Sequence, residues 1–156
     1  MQKKIRLTKK FDFEAAHCLE NYDGKCSRLH GHSYKFFVTV KGVPETDKTS
    51  PKLGMVMDFG LLKRIVNEEI VEKFDHSVVV SEKSDYVFDE KQPMFSNVIR
   101  FPFQPTCENM LVFFADKIQK RLPEKVRLAA LKLYETEDSF AEWRAEDNSV
   151  ITFPKS

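Results

Sequence analysis

The tightest constraint on this chain is a phase relation between two alternating runs. In Ile5-Arg6-Leu7-Thr8-Lys9-Lys10-Phe11-Asp12-Phe13-Glu14-Ala15-Ala16-His17 the odd positions are apolar apart from Lys9, which puts His17 in line with Ile5, Leu7, Phe11 and Phe13. In the run from His30 to Lys41, the face carrying Tyr34, Phe36, Val38 and Val40 begins with His30 and His32, and Gly31 between them leaves the other face bare. Successive side chains of a strand point to opposite faces, so both runs read as half-buried strands whose core faces end in imidazole. If they pair antiparallel across the loop 18–29, His17 at the end of the first meets His30 and His32 at the start of the second.

Three imidazoles from neighbouring strands form a ligand set for a borderline metal, and zinc is the default because it takes imidazole nitrogen in tetrahedral geometry. Three protein ligands leave one position open, as in catalytic rather than structural zinc sites. Any one histidine alone reads as a satisfied core or loop residue. Three in phase, out of four histidines in the chain, read as the metal ligands His17, His30 and His32.

Composition excludes several classes. The 156 residues suit a single domain over 1–156. Lys and Arg number 25 against 24 Asp and Glu, a formal net charge of +1, so the chain carries no electrostatic footprint for nucleic acid or an anionic membrane. No stretch approaches the roughly 18 apolar residues of a spanning helix. The first residues enter an alternating strand directly, so a cytoplasmic location is the expectation. Three cysteines give no disulfide framework, which agrees with a reducing compartment and a thiol kept free for chemistry.

In chain order, strands are expected at about 4–16 and 32–42, then a polar loop containing Pro44 and Pro51. Asp58 is the N-cap of a helix whose stripe is Phe59, Leu62, Val66 and Ile70, running to about Lys73. Segment 77–105 holds two short strand-like runs, Val78-Val79-Val80 and Val98-Ile99-Arg100-Phe101, separated by the polar stretch 81–97. A second helix is capped by Thr106, with Glu108 at the positive end of its dipole; Leu111, Phe114, Ile118 and Leu122 form its stripe, and Pro123 stops it. Strands at about 126–136 and 140–146 close the chain around Glu137-Asp138-Ser139. The expected fold is α+β, a four-stranded antiparallel sheet with two helices on one face. Such a sheet has open edges, which predicts an oligomer.

Five separated motifs together resemble the 6-pyruvoyltetrahydropterin synthase family. They are Phe13-Glu14-Ala15-Ala16-His17, Cys26 with His30-Gly31-His32, Asp75-His76, Pro105-Thr106-Cys107-Glu108-Asn109, and Glu135-Thr136. Three residues between Cys26 and His30 resemble the carboxy-forming bacterial group of queuosine biosynthesis; the pyruvoyl-forming eukaryotic type usually has a longer gap. The resemblance implies the tunnelling fold, a homohexamer of two stacked trimeric barrels, and active sites between subunits. It also implies the substrate 7,8-dihydroneopterin triphosphate, converted to 6-carboxy-5,6,7,8-tetrahydropterin with loss of triphosphate and acetaldehyde. Carried over residue by residue, zinc sits on His17, His30 and His32, Cys26 is the general base, and His76 relays protons, oriented by Asp75 or another carboxylate. Glu135 holds the pterin ring, with Thr106 and Glu108 as further pterin contacts. Lys25 and Arg28 meet the triphosphate. Cys18 and Cys107 read as small buried hydrophobes. An insertion within 77–105, beside Asp75-His76, would reshape the substrate pocket.

Three rival readings stay open. The same fold could form 6-pyruvoyltetrahydropterin. A zinc hydrolase would use a metal-bound hydroxide on an ester or phosphate and leave Cys26 without a role. A zinc-stabilised oligomer would show no turnover at all.

Overall fold

The structure, a computed structural model, describes residues 2–149. The first two strands, β1 (Ile5–His17) and β2 (His30–Gly42), form a long antiparallel hairpin in unbroken register from Ile5↔Gly42 to His17↔His30. The alternation is the cause. Phe11, Phe13, Ala15 and His17 on one strand, and Tyr34, Phe36, Val38 and Val40 on the other, are buried on a common face. Phe13 and Tyr34 stack across the pair with ring centroids 5.0 Å apart.

Helix α1 (Phe59–Val66) starts at Asp58, whose carboxylate accepts the Gly60 N–H at 2.7 Å. It continues through a π-helical turn, Asn67–Val71, into a last turn, Glu72–Phe74. Leu62, Ile65, Val66 and Ile70 face the sheet, whereas Phe59, expected on that stripe, is exposed. Helix α2 (Cys107–Gln119) is capped by Thr106, whose hydroxyl accepts the Asn109 N–H at 3.2 Å. It buries Met110, Leu111, Phe114 and Ile118. Phe114 packs against Phe13, Phe36 and Phe74, at centroid distances of 6.3, 5.4 and 5.0 Å, and is fully buried. Burying such a ring contributes about 2–3 kcal/mol.

The sheet differs from the expected one. It has six strands, in the order β4-β3-β1-β2-β5-β6, and is mixed. Antiparallel β5 (Arg127–Tyr134) and β6 (Phe140–Arg144) extend it beyond β2. On the other side β3 (Ser77–Ser81) pairs parallel with β1, and β4 (Val98–Phe101) pairs parallel with β3. The parallel sense follows from connectivity. After β2 the chain crosses the sheet through α1 and returns beside β1 pointing the same way. The sequence signal was the continuous run Val78-Val79-Val80, since a strand covered on both faces loses its alternation. All five residues of β3 are buried. The polar-looking stretch after β3 supplies part of that cover: Phe88 and Phe95, 5.2 Å apart, pack on Val78, Val80 and Cys18 in a second, smaller core. No helix among the described residues is long and apolar enough to cross a membrane.

Candidate metal centre and its surroundings

The register that pairs His17 with His30 and Ala15 with His32 gathers three imidazoles at one end of the β1–β2 hairpin. One ring nitrogen from each of His17, His30 and His32 lies within 4.8 Å of the others. His17 is almost fully buried, while His30 and His32 are half-buried. Two backbone carbonyls orient the rings. The Nδ1–H of His17 donates to Pro105 O at 2.7 Å, and that of His30 donates to Arg28 O at 2.7 Å. With both Nδ1 atoms protonated for these bonds, the two Nε2 atoms carry lone pairs, and they face each other at 2.9 Å. Two facing lone pairs need a cation between them. Histidines that bind a metal through one ring nitrogen usually donate the other ring N–H to a carbonyl or carboxylate, as His17 and His30 do here. Zinc, at about 2.0–2.1 Å from imidazole nitrogen, fits this donor set.

The electrostatics agree. Burial lowers the pKa of His17 to about 4; the His30 and His32 imidazoles add to the shift, and the bond to Pro105 opposes it. Burial also lowers His32, partly offset by the Glu135 carboxylate. Both rings are therefore held neutral, the form that ligates a metal.

Glu135 follows directly after β5 and is half-buried; its N–H donates to Ser139 O at 3.2 Å, closing the β5–β6 turn. Its carboxylate is felt by three groups: it raises the pKa of His32 and, after burial, is the next cause raising those of Tyr34 and Cys107. Cys107 is pushed up to about 12 and its thiol donates to Leu133 O at 3.2 Å, so it is a packed, protonated side chain. Cys18 is buried as well. Cys26 is half-buried in a short 3-10 turn, Lys25–Ser27, and its carbonyl accepts the Leu19 N–H at 2.9 Å.

Asp75 and His76 form a turn clipped to β1 at Glu14. Asp75 Oδ1 accepts the Glu14 N–H at 2.8 Å, and the His76 N–H donates to Glu14 O at 2.6 Å. His76 adopts φ 55°, a left-handed conformation that lets its Nδ1 come within 3.1 Å of Asp75 Oδ2. The Glu14 amide is the main cause holding the Asp75 carboxyl below its usual range, with His76 contributing. The exposed His76 ring borders a shallow depression of about 290 Å³ with Glu14, Ala16, Gly31 and Ser33. Among the described residues Asp75 is the only polar partner of that ring; His32 lines the same depression, but no hydrogen bond joins His76 to the three histidines.

The remaining candidates are dispersed. Thr106 caps α2, Glu108 is exposed in its first turn, and Lys25 and Arg28 are exposed on the loop between β1 and β2 without salt bridges among the described residues. Sequence reasoning missed the two orienting carbonyls of Arg28 and Pro105, since backbone groups carry no residue signature. It read Tyr34 as core only. Its hydroxyl is buried without a hydrogen-bond partner among the described residues, and its ring lies 5.5 Å from His32 and 6.3 Å from His17.

A sequence profile described as 6-pyruvoyl tetrahydropterin synthase matches residues 6–146. The chain belongs to this family. Relatives in the pterin synthase family carry two names. The 6-carboxy-5,6,7,8-tetrahydropterin synthase of Haemophilus influenzae is 32% identical over 143 residues, 90% of this chain and 99% of the relative. The human 6-pyruvoyl tetrahydrobiopterin synthase is 32% identical over 155 residues, 92% of this chain and 93% of the relative. The fold matches the 6-pyruvoyl tetrahydropterin synthase of Plasmodium falciparum with a TM-score of 0.70 at 19% identity, over 90% of this chain and 96% of that one.

Proposed function

We infer that the chain is a zinc-dependent lyase that converts 7,8-dihydroneopterin triphosphate to 6-carboxy-5,6,7,8-tetrahydropterin with loss of triphosphate and acetaldehyde. The observation that carries this reading is the converging, carbonyl-oriented set of His17, His30 and His32 in a chain of the pterin synthase family. Zinc held there would supply a Lewis acid that acidifies the side-chain hydroxyls and stabilises developing oxyanions. Cys26 takes a proton from the substrate side chain. His76 relays protons on the other side of the substrate, oriented by Asp75 at 3.1 Å. Glu135 accepts hydrogen bonds from the pterin amino group and ring N–H, as a carboxylate does in bidentate fashion. Thr106 and Glu108 add pterin contacts, and Lys25 and Arg28 meet the triphosphate.

His76 is exposed and makes no hydrogen bond to its own triad, and β4 and β6 each leave one edge unpaired among the described residues. Both features support a homohexamer whose sites are completed between copies, with His76 of one copy serving the zinc of another. The pyruvoyl-forming reaction is the second reading, kept because the 32% identity to the human relative equals that to the carboxy-forming one. Three residues between Cys26 and His30 support the first. Incubating zinc-loaded protein with 7,8-dihydroneopterin triphosphate and weighing the pterin product separates them. A 6-carboxytetrahydropterin mass supports the first reading, a pyruvoyl product the second, and unchanged pterin sinks both.

A further inference from the structure

Gln104 stands between the two loops that build the site, and no role in the reaction described above falls to it. Its side-chain amide grips the backbone of Glu20 twice: Oε1 accepts the Glu20 N–H at 3.1 Å, and Nε2 donates to the Glu20 carbonyl at 2.7 Å. The two residues are 84 positions apart in sequence. A primary amide satisfies one residue's donor and acceptor together, imitating a rung of a sheet ladder.

Both ends of this clamp connect to site residues. On one side Glu20 follows Leu19, whose N–H donates to the Cys26 carbonyl at 2.9 Å, so the loop carrying Cys26 is fastened through this short stretch. On the other side Gln104 precedes Pro105, whose carbonyl orients the His17 ring at 2.7 Å. The backbone of Gln104 is itself fixed. Its carbonyl accepts the Thr106 N–H at 2.8 Å and the Asn109 side-chain amide at 3.0 Å, which ties it to the first turn of α2. All these links are side chain to backbone or backbone to backbone, so the path from Cys26 to His17 is a continuous series of short bonds.

We propose that Gln104 is a positioning residue that sets the Cys26 loop against the histidine metal centre, acting through Glu20 and Leu19 on one side and Pro105 on the other. The proposal rests on the assignment of Cys26 as the base. The geometry requires a residue that both donates and accepts. Gln104→Glu keeps the shape but sets an oxygen against the Glu20 carbonyl, and Gln104→Met keeps the length but offers neither bond.

The test compares these two variants with the unaltered protein. In both, zinc content stays at the unaltered level, kcat for the pterin triphosphate falls tenfold or more, and KM stays within twofold. Without substrate, iodoacetamide alkylation of Cys26, located by peptide mass, accelerates at least threefold. Amide exchange at Leu19 and Glu20 accelerates at least tenfold. A folded variant with unchanged alkylation and exchange overturns the clamp. If neither variant folds, exchange in the unaltered protein decides. The Leu19 and Glu20 amides opening together at one slow rate supports the clamp, and a Glu20 amide that exchanges freely overturns it. If the unaltered protein leaves the pterin unchanged, the substrate reading falls, while alkylation and exchange still judge the clamp.

Discussion

His17 and His30 face one another through Nε2 atoms 2.9 Å apart, each ring anchored at Nδ1 by a backbone carbonyl. Without a cation this arrangement sets lone pair against lone pair. Metal binding to the folded state alone stabilises it by about 4 kcal/mol at a thousandfold excess over Kd. Chelation is therefore expected to lower Tm by roughly 10 °C, read by calorimetry with and without a chelator. An unmoved transition would remove the metal from the fold, and His30→Ala should abolish the difference.

The metal-free protein has a predictable pH dependence. The folded state keeps His17 neutral down to about 4, whereas the unfolded chain takes up that proton near 6.5. The unfolded state binds more protons between these values, so stability is full above pH 6.5 and is lost as pH falls towards 4. His32, also lowered, acts in the same direction. Urea midpoints at pH 7 and pH 5 should differ in the chelated protein, and His17→Gln should flatten the difference. Equal midpoints in the unaltered protein would contradict a buried neutral His17.

Cys26→Ala is expected to lower kcat by about 10²–10⁴-fold, the usual contribution of a general base, with metal content unchanged. Metal analysis beside kinetics checks both halves. Retained turnover would instead favour a zinc hydrolase that has no use for the thiol.

His76 supports a separation of stability from activity. Its left-handed backbone, φ 55°, costs a non-glycine residue about 1 kcal/mol. His76→Gly should therefore fold at least as stably while losing proton relay, and His76→Ala should lose activity without gaining stability. A variant as active as the unaltered protein would remove His76 from the reaction.

Glu135→Gln keeps the shape but exchanges a carboxylate for an amide that can offer only one acceptor oxygen. A charge-assisted hydrogen bond is worth about 1.5–3 kcal/mol, so KM for the pterin should rise roughly tenfold to a hundredfold. Steady-state kinetics tests this, and an unchanged KM would place the pterin elsewhere.

The hairpin and its histidines were legible because alternation has a period of two, and a period leaves no choice of face. The helix starts at Asp58 and Thr106 were legible because a capping side chain acts on amides two or three residues away. The strands β3 and β4 were visible as short apolar runs but could not be placed, since parallel pairing depends on a crossover rather than on a turn. Phe88 and Phe95 lie in a stretch whose local composition is polar, so their role in the second core was hidden.

The sequence by itself determined which residues can share a face, and so which three histidines can meet. That follows from geometry local to each strand. The tertiary structure decided what those residues do to one another. Carbonyls from Arg28 and Pro105 choose the ring nitrogens, Glu14 shapes the Asp75-His76 turn, and Gln104 joins loops 84 residues apart. Hydrogen bonds to backbone are indifferent to the identity of the residue that offers them, and chain separation leaves no periodic trace. Only the folded path of the chain brings such groups within hydrogen-bonding distance of each other.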